Sequence, residues 1–162
     1  MQSFDQVFTQ YFSRVYRFAL SLTRSSSQAE EITQQTFFKA LKKIDSFDGR
    51  SDIGTWLCSI AKNEYFNTRR RSREQPEPMD SPAFFGEHTD PDRLEDEALR
   101  MQIHRHLHTL AEPYREVFML RVFGELKYEQ IASLFGKTAS WARVTFYRGK
   151  LMLQEQIKEE EQ

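Results

Sequence analysis

Apolar side chains recur at intervals of three and four residues over most of this 162-residue chain. Such spacing places them on one face of an α-helix, where they can pack against a neighbouring helix. Glycine, which weakens helices, occurs only six times, and four of the five prolines fall within 76–91. The pattern predicts an all-α fold, with helices on both sides of the proline-rich segment.

Three helices are predicted before that segment, over 4–22, 27–44 and 55–71. Ser27 and Glu30 have the spacing of a capping box, which favours a helix start there. Residues 46–54 break the periodicity with two glycines and two aspartates. The residues predicted to face the core are Phe4, Val7, Phe8, Tyr11, Val15, Phe18, Ala19, Leu22, Ala29, Ile32, Thr36, Phe37, Ala40, Leu41, Ile44, Trp56, Leu57, Ile60, Ala61 and Tyr65.

The segment 74–93 is rich in proline and acidic residues, so it is predicted not to be helical. A loop of about 20 residues is unusual inside a compact domain. We therefore expect a flexible linker over 74–93 that joins two small helical domains, 1–73 and 94–162.

Four helices are predicted in the second domain, over 94–110, 113–122, 128–135 and 139–157. Pro113 suits a first helical turn. The break at Gly136 is short, and two helices joined by such a turn resemble a helix-turn-helix. The apolar residues expected to pack this domain are Leu110, Val117, Leu120 and Val122.

Composition bounds the class of protein. A chain that is 39% hydrophobic and 29% charged can fold and is not predicted to be disordered. No apolar run approaches a membrane span, the N-terminus lacks the layout of a signal peptide, and the single Cys58 cannot form an internal disulfide. These features predict a soluble cytoplasmic protein. Its net charge of −1 argues against a protein that holds duplex DNA unaided.

Basic charge is concentrated in 62–73, which carries five cations against one acid, Glu64. Trp56, Tyr65 and Phe66 lie in or just before this segment. Cations that follow a backbone, rings that stack on bases and amides that bond base edges are typical of single-stranded nucleic acid binding. The alternative is a solvated basic helix end, which the helix dipole favours.

Residues 126–150 have the pattern of a helix-turn-helix that reads duplex DNA. Ile131, Ala132 and Leu134 would pack its first helix. A recognition helix directs its N-terminal residues to base edges and its cations to phosphates. The second helix carries Thr138, Ser140, Arg143, Thr145, Tyr147, Arg148 and Lys150. A plain helical hairpin is the alternative.

Two sets of sequence motifs resemble those of extracytoplasmic-function sigma factors. AEEITQQTFFKALKKIDSF and TWLCSIAKNEYFNTRRR resemble their second region, and EPYREVFMLRVF, YEQIA and WARVTFYRGK resemble their fourth. The regions occur in the right order, and the resemblance covers essentially the whole chain. It implies a subunit that binds core RNA polymerase and directs promoter recognition, promoter melting and transcription initiation, with no catalysis and no cofactor of its own.

The resemblance also implies roles by position. The helix 29–44 would dock on the clamp helices of the polymerase through Gln34, Gln35 and Phe38. The loop 46–55 and the helix after it would open the minus-ten duplex, with Asn63 reading an unstacked base beside Trp56, Asn67 and Arg70. The last helix would bind the minus-thirty-five duplex through Ser140, Arg143, Tyr147, Arg148 and Lys150.

This chain departs from the family pattern at five positions. Gln35 replaces a usual acid, Ile53 a common Phe and Gly54 a common basic residue. Lys127 stands where a Ser or Thr caps the helix, and Thr145 replaces a frequent Arg, which predicts lower duplex affinity there.

The resemblance implies further partners for the chain. The acidic linker would thread the polymerase cleft, although a passive tether is the alternative. Factors of this class are commonly held inactive by an anti-sigma factor, often one that is bound to a membrane.

Other signals predict no site. His104, His106 and His108 alternate on a helix, so only the first and last share a face, and no metal site is predicted. Cys58 is expected to be a small buried residue.

Two other functions stay open. An autonomous helix-turn-helix repressor or activator would shift duplex DNA by itself in a salt-sensitive manner. A protein-interaction module would tolerate charge reversal at Arg143 and Arg148.

Overall fold

The computed structural model describes residues 3–44, 47, 52–72 and 91–161. They contain no β-strand, and the predicted all-α class with two small helical domains is confirmed. We refer to α1–α3 as the first unit and to α4–α7 as the second unit. The helices are α1 (Phe4–Thr23), α2 (Ser26–Lys43), α3 (Ile53–Ser72), α4 (Pro91–Thr109), α5 (Tyr114–Val122), α6 (Tyr128–Phe135) and α7 (Ala139–Glu161).

Serine side chains cap the first two helices. The Ser3 hydroxyl accepts a hydrogen bond from the Gln6 amide, and the Gln6 side chain accepts one from the Ser3 amide. Arg24 then takes a left-handed backbone conformation, with φ of 55°, which ends α1 abruptly. Because the turn is this tight, Ser25 caps α2 by accepting from the Gln28 amide. The predicted capping box of Ser27 and Glu30 is therefore wrong.

Most residues predicted to face inward in the first unit are buried or half-buried, and Cys58 is fully buried. Two are exceptions: Phe8 is 41% exposed and Leu41 is 50% exposed. The Phe8 ring lies at the rim of an aromatic cluster, 5.0 Å from the Phe37 ring centre. Apolar character alone does not require burial, and the prediction was wrong at these two positions.

The second unit closely follows the predicted helices. The helix α4 begins at Pro91 instead of 94, and most of the predicted linker lies outside the described residues. Pro113 precedes α5 as its N-cap and does not lie in the first turn. Leu110, Val117 and Leu120 are buried as predicted, whereas Val122 is 44% exposed and the prediction of its burial was wrong, because it projects from the last residue of α5.

A tight turn joins α6 to α7. Gly136 has a φ of 65°, a conformation that glycine adopts without steric cost. The Thr138 hydroxyl then accepts from the Trp141 amide and caps α7. At the start of α6 the Lys127 side chain makes no capping bond. The Gln130 side chain instead accepts from the Lys127 amide at 2.8 Å, which satisfies one free donor of the helix start.

The two units contact each other. The helix α1 packs beside α5, and α3 packs beside α6. Gly124 lies directly against α3, since a Cβ at this position would stand 3.3 Å from the Cys58 sulfur.

Candidate nucleic-acid and polymerase-binding surfaces

One face of α3 carries all four residues predicted to contact the minus-ten strand. Trp56, Asn63, Asn67 and Arg70 are spaced by seven, four and three residues, which aligns them along a single side of a helix. Trp56 is half-buried and the other three are exposed. The result is an aromatic ring, two amides and a cation in one accessible row, the chemistry that unstacked bases require.

The start of α3 is built by Asp52 and two aromatic rings. The Asp52 carboxylate accepts from the Thr55 amide and caps the helix. The Trp56 ring lies 4.9 Å from the Phe47 ring centre, which orients it. A Cβ at Gly54 would stand 2.9 Å from the Asp52 carboxylate and 3.0 Å from an Arg14 nitrogen. Because these side chains already fill the space, a glycine at 54 is accommodated where the family commonly has a basic residue.

The cations of the basic segment are not equivalent. Arg69, Arg70 and Arg71 are exposed in the last turn of α3. Lys62 is instead half-buried, with its amine 2.5 Å from a Glu116 oxygen and 4.9 Å from the Phe135 ring centre. Among the described cations of this segment, those at the C-terminal end of α3 are therefore the accessible ones.

The residues predicted to contact polymerase lie together on α2. Gln34, Gln35 and Phe38 are all exposed. The Phe38 ring is 53% exposed, and the Lys42 amine lies 4.3 Å from its centre. Leu41 belongs to the same surface, which sequence reasoning missed because its apolar type fitted the core pattern. An exposed aromatic beside an exposed aliphatic side chain is suited to bind a protein partner.

The helix α7 presents a second polar face. Ser140, Arg143, Tyr147, Arg148 and Lys150 are all exposed, and their spacing confines them to about half of the helix circumference. The Arg143 guanidinium lies 5.3 Å from the centre of the Tyr128 ring. This face combines three cations with hydroxyl groups, as a helix that enters the major groove requires.

Thr145 has a different role from the one predicted. It is 5% exposed because its place in the helical repeat directs it toward the core. The neighbouring Phe146 packs its ring 5.6 Å from that of Phe118. Thr145 does not lie on the exposed polar face, since its side chain faces the interior of the second unit, and the lower duplex affinity expected there stays a prediction.

Sequence reasoning also missed an apolar stripe on the outer side of α7. Val144 is 46% exposed and Leu151 is 59% exposed, and both flank Tyr147 on the same side of the helix. The spacing of three and four residues was visible in the sequence. It could not distinguish this stripe from the buried face of the helix.

The histidines of α4 serve packing. His104 is buried and stacks 4.9 Å from the Phe123 ring, and burial, with His108 and Arg24 nearby, lowers its pKa to about 4. His108 donates to the Ser21 carbonyl at 2.8 Å. His106 pairs with Glu160. Within the described residues no group of three potential metal ligands occurs. Burial raises the pKa of the Cys58 thiol to about 12, so this thiol stays protonated.

Comparison with known families agrees with this layout. The family model for Sigma-70 region 2 matches residues 7–75. The family model for Sigma-70, region 4 matches residues 100–153. Together they cover more than half of the chain, which belongs to the sigma-70 family of RNA polymerase sigma factors. Within that family it is a factor of the extracytoplasmic-function type. It binds core RNA polymerase and directs promoter recognition, promoter melting and transcription initiation.

Two curated relatives are similar to this chain over nearly their whole length. RNA polymerase sigma factor YlaC of Bacillus subtilis is 29% identical, over 96% of this chain and 92% of the relative. ECF RNA polymerase sigma factor SigM of Bacillus subtilis is 25% identical, over 92% of this chain and 91% of the relative.

Solved structures share the fold. The sigma factor RpoE in complex with the anti-sigma factor NepR from Bartonella quintana superposes with a TM-score of 0.75 and 28% identity, over 96% of both chains. CnrH, solved with the cytosolic domain of CnrY, has a TM-score of 0.70 and 18% identity over 96% of this chain and 88% of that one. In the described part of this chain, no helix has the length and apolar character to cross a membrane.

Proposed function

We propose that the two units divide the work of promoter binding. The domain 1–73 contacts polymerase and the opened minus-ten strand, the domain 94–162 reads the minus-thirty-five duplex, and 74–93 links them. The observation that carries this proposal is the presence of two separate exposed polar faces. One is the row on α3 and the other is the outer half of α7.

At the minus-ten element, Asn63 reads an unstacked base through its side-chain amide. Trp56 offers a ring edge at the start of the row, Asn67 adds a second amide, and Arg70 neutralises a phosphate. Unpairing a base costs a few kcal/mol, and stacking with hydrogen bonding offsets that cost. The exposure of Asn63, Asn67 and Arg70 on one side of α3 supports these roles.

At the minus-thirty-five element, Ser140 and Arg143 lie nearest the N-terminus of α7 and contact base edges. Tyr147, Arg148 and Lys150 follow and bind the sugar-phosphate backbone. This division follows the usual orientation of a recognition helix in the major groove. Their shared exposure on α7 supports it.

The polymerase contact is assigned to Gln34, Gln35 and Phe38. An exposed aromatic at the centre of a polar surface is typical of an interface hot spot. Because Gln35 is neutral, this contact relies on hydrogen bonding and on the Phe38 ring in place of an ion pair.

Three further properties follow from the proposed role. The protein has no catalytic activity of its own, and it works in the cytoplasm, where RNA polymerase and promoters are found. It also has an anti-sigma factor as a partner, and the similar sigma factor from Bartonella quintana in complex with NepR supports this assignment.

The test is a transcription start-site profile made with core polymerase, with and without the purified protein, on a broad promoter library. We expect start sites that depend on both components. A salt-sensitive shift of duplex DNA by the protein alone, with no polymerase-dependent start sites, would identify an autonomous repressor or activator instead.

Charge reversal tests the assignment of α7. The double change Arg143→Glu and Arg148→Glu should abolish dependence on the minus-thirty-five element while binding to core polymerase is retained. Lys158→Glu reverses an exposed cation near the end of the same helix and serves as the control. Full activity of the double variant would favour a pure protein-interaction module.

Single-residue changes test the assignment of α3. Asn63→Ala and Asn67→Ala should weaken holoenzyme binding to single-stranded minus-ten DNA by roughly tenfold, a loss typical of one base contact. Binding to the minus-thirty-five duplex should not change. Equal losses on both DNA elements would contradict the division of labour.

A further inference from the structure

An apolar row lies within the exposed polar face of α7. Val144 is 46% exposed, Tyr147 is 53% exposed and Leu151 is 59% exposed. They are three and four residues apart, so they follow one line along the helix. Single exposed apolar side chains are common on protein surfaces, but three in one row on the face that carries the cations indicate a ligand of matching chemistry.

Val144 lies inside the face assigned to the minus-thirty-five duplex. At 100° per residue it is about 40° from Ser140 and about 40° from Arg148. It therefore lies midway between a residue assigned to base edges and one assigned to the sugar-phosphate backbone. It is also the sixth residue of α7, which begins at Ala139, and the N-terminal residues of a recognition helix are the ones that approach base edges.

Packing inside the chain does not explain this valine. The other side of α7 is the packed one: Ala142 is fully buried, Thr145 is 5% exposed, and a Cβ at Gly149 would stand 3.3 Å from the Tyr114 Cβ. Valine is also a weaker helix former than alanine, lysine or glutamate, because its branched Cβ restricts the side chain in a helix. At an exposed position it therefore contributes little to the stability of α7.

Thymine has the base edge that matches an isopropyl group. In the major groove, adenine, guanine and cytosine present hydrogen-bond donors and acceptors, whereas thymine also presents its 5-methyl group. Valine has no polar side-chain atom, so it would leave a donor or acceptor that it covers without a partner. Against a thymine methyl group, the same side chain removes apolar surface from water.

The cations beside Val144 favour DNA over an apolar protein partner. Arg143 directly precedes it, Arg148 lies one turn after it, and both are exposed. They lie on the two sides of the apolar row, where phosphates and base edges of a duplex supply acceptors. A protein that covered the row would bury both guanidinium groups, which is costly unless each is paired with an acid.

We infer that Val144 is a specificity-determining residue of the minus-thirty-five interaction, in which it packs against the 5-methyl group of a thymine in the major groove. The inference rests on the proposed assignment of α7 to that duplex. It adds an apolar contact to the polar contacts of Ser140 and Arg143. It also predicts that the preferred element contains an A·T pair, with the thymine on a defined strand, opposite the second turn of α7.

Deoxyuridine tests this contact because it lacks only the methyl group of thymine and keeps its base pairing. The duplex probes carry a promoter found in the start-site profile, and each thymine of its minus-thirty-five element is replaced in turn on both strands. Holoenzyme made with wild-type protein, Val144→Ala or Leu151→Ala is titrated with each probe. Alanine is a good helix former, so both variants keep α7. Leu151 lies about 10 Å farther along the helix axis, at 1.5 Å per residue, and is the matched apolar control.

We expect one thymine at which deoxyuridine weakens binding of wild-type holoenzyme by about three- to fivefold, the equivalent of one buried methyl group. Val144→Ala should weaken binding to the thymine probe by a similar factor. It should bind the deoxyuridine probe no more weakly, because two changes that remove the same contact are not additive. Leu151→Ala should retain the wild-type preference for thymine over deoxyuridine.

Two results would overturn the inference. One is a wild-type holoenzyme that is indifferent to every replaced thymine, or a Val144→Ala holoenzyme with the wild-type preference for thymine. The other is a Val144→Ala protein that loses affinity for core polymerase while promoter DNA is bound as before, which would assign the apolar row to a protein partner.

A scrambled minus-thirty-five element separates this inference from the proposed function. If wild-type holoenzyme binds the scrambled and intact probes equally, the assignment of α7 to that element fails. If binding depends on the element but on none of its thymine methyl groups, only the role of Val144 is excluded.

Discussion

The guanidinium of Arg143 lies 5.3 Å from the centre of the Tyr128 ring, and that of Arg121 lies 4.5 Å from the same centre. The ring thus connects the first residue of α6 to the exposed polar face of α7. A cation held over an aromatic ring is stabilised by about 0.5–1 kcal/mol at exposed sites. Arg143 is therefore held in one orientation, which would reduce the entropy lost if it binds DNA as proposed.

Replacement of this ring should weaken minus-thirty-five binding indirectly. Tyr128→Leu is expected to lower holoenzyme affinity for a promoter with that element by about two- to fivefold, the equivalent of the lost contact. Tyr128→Phe keeps the ring and should match wild type. The measurement is promoter binding by fluorescence anisotropy, and equal effects of both changes would contradict a role for the ring face.

Truncation of Phe38 should affect polymerase binding without affecting the fold. Its ring is 53% exposed, so Phe38→Ala removes little core packing, yet loss of a hot-spot aromatic costs 2 kcal/mol or more, about thirtyfold in affinity. Met101→Ala, at a side chain 47% exposed on α4, is the matched control. Titration of core polymerase and thermal unfolding of the free protein measure the two effects. A lowered melting temperature with unchanged polymerase affinity would assign Phe38 to packing.

Truncation of Leu57 tests whether the units are separate domains. This side chain is fully buried in α3, and Leu→Ala changes at such sites cost about 2–5 kcal/mol. We expect the free energy of opening that hydrogen exchange measures to fall by that amount in α1–α3. It should change little in α5–α7. Leu120→Ala, equally buried in α5, should give the converse pattern. Acceleration over the whole chain by either change would show one cooperative unit.

The helices could be predicted because they depend on local periodicity, and the repeat of three and four residues defined α6 as 128–135. Asn63, Asn67 and Arg70 were assigned from the family resemblance, and the structure shows that their spacing places them on one side of α3. The exposure of Phe8 and Leu41 could not be predicted in this way, since period and residue type are the same for a rim position and a core position.

Contacts between the units carried no signal in the sequence. Arg14 and Glu125 are 111 positions apart, and each residue by itself resembles a solvated surface charge. The left-handed backbone at Glu125 was also hidden, because only glycine and asparagine are strong indicators of that conformation. Thr145 was assigned to the DNA face from its place in the family pattern. Its burial follows from the helical repeat, because Thr145 and the neighbouring Phe146 lie on the side of α7 that packs against the core.

Acid should destabilise the protein through its buried imidazoles. Burial, with His108 and Arg24 nearby, lowers the pKa of His104 to about 4, whereas an unfolded histidine titrates near 6.5. Between these values the unfolded state binds more protons, so the free energy of unfolding falls as the pH drops. The contribution of His104 to the free energy of unfolding is complete above about pH 7.5. At pH 5 about 2 kcal/mol of it is lost for this one group.

Denaturant unfolding at pH 7.5 and pH 5 measures that loss. His104→Gln keeps a polar side chain on α4 but cannot take up a proton, so the fall in stability between the two pH values should be smaller than in wild type. His108, whose pKa is also lowered to about 4, chiefly by burial, accounts for part of the remainder. A wild-type loss in His104→Gln would mean that other titrating groups, and not this imidazole, cause the sensitivity to acid.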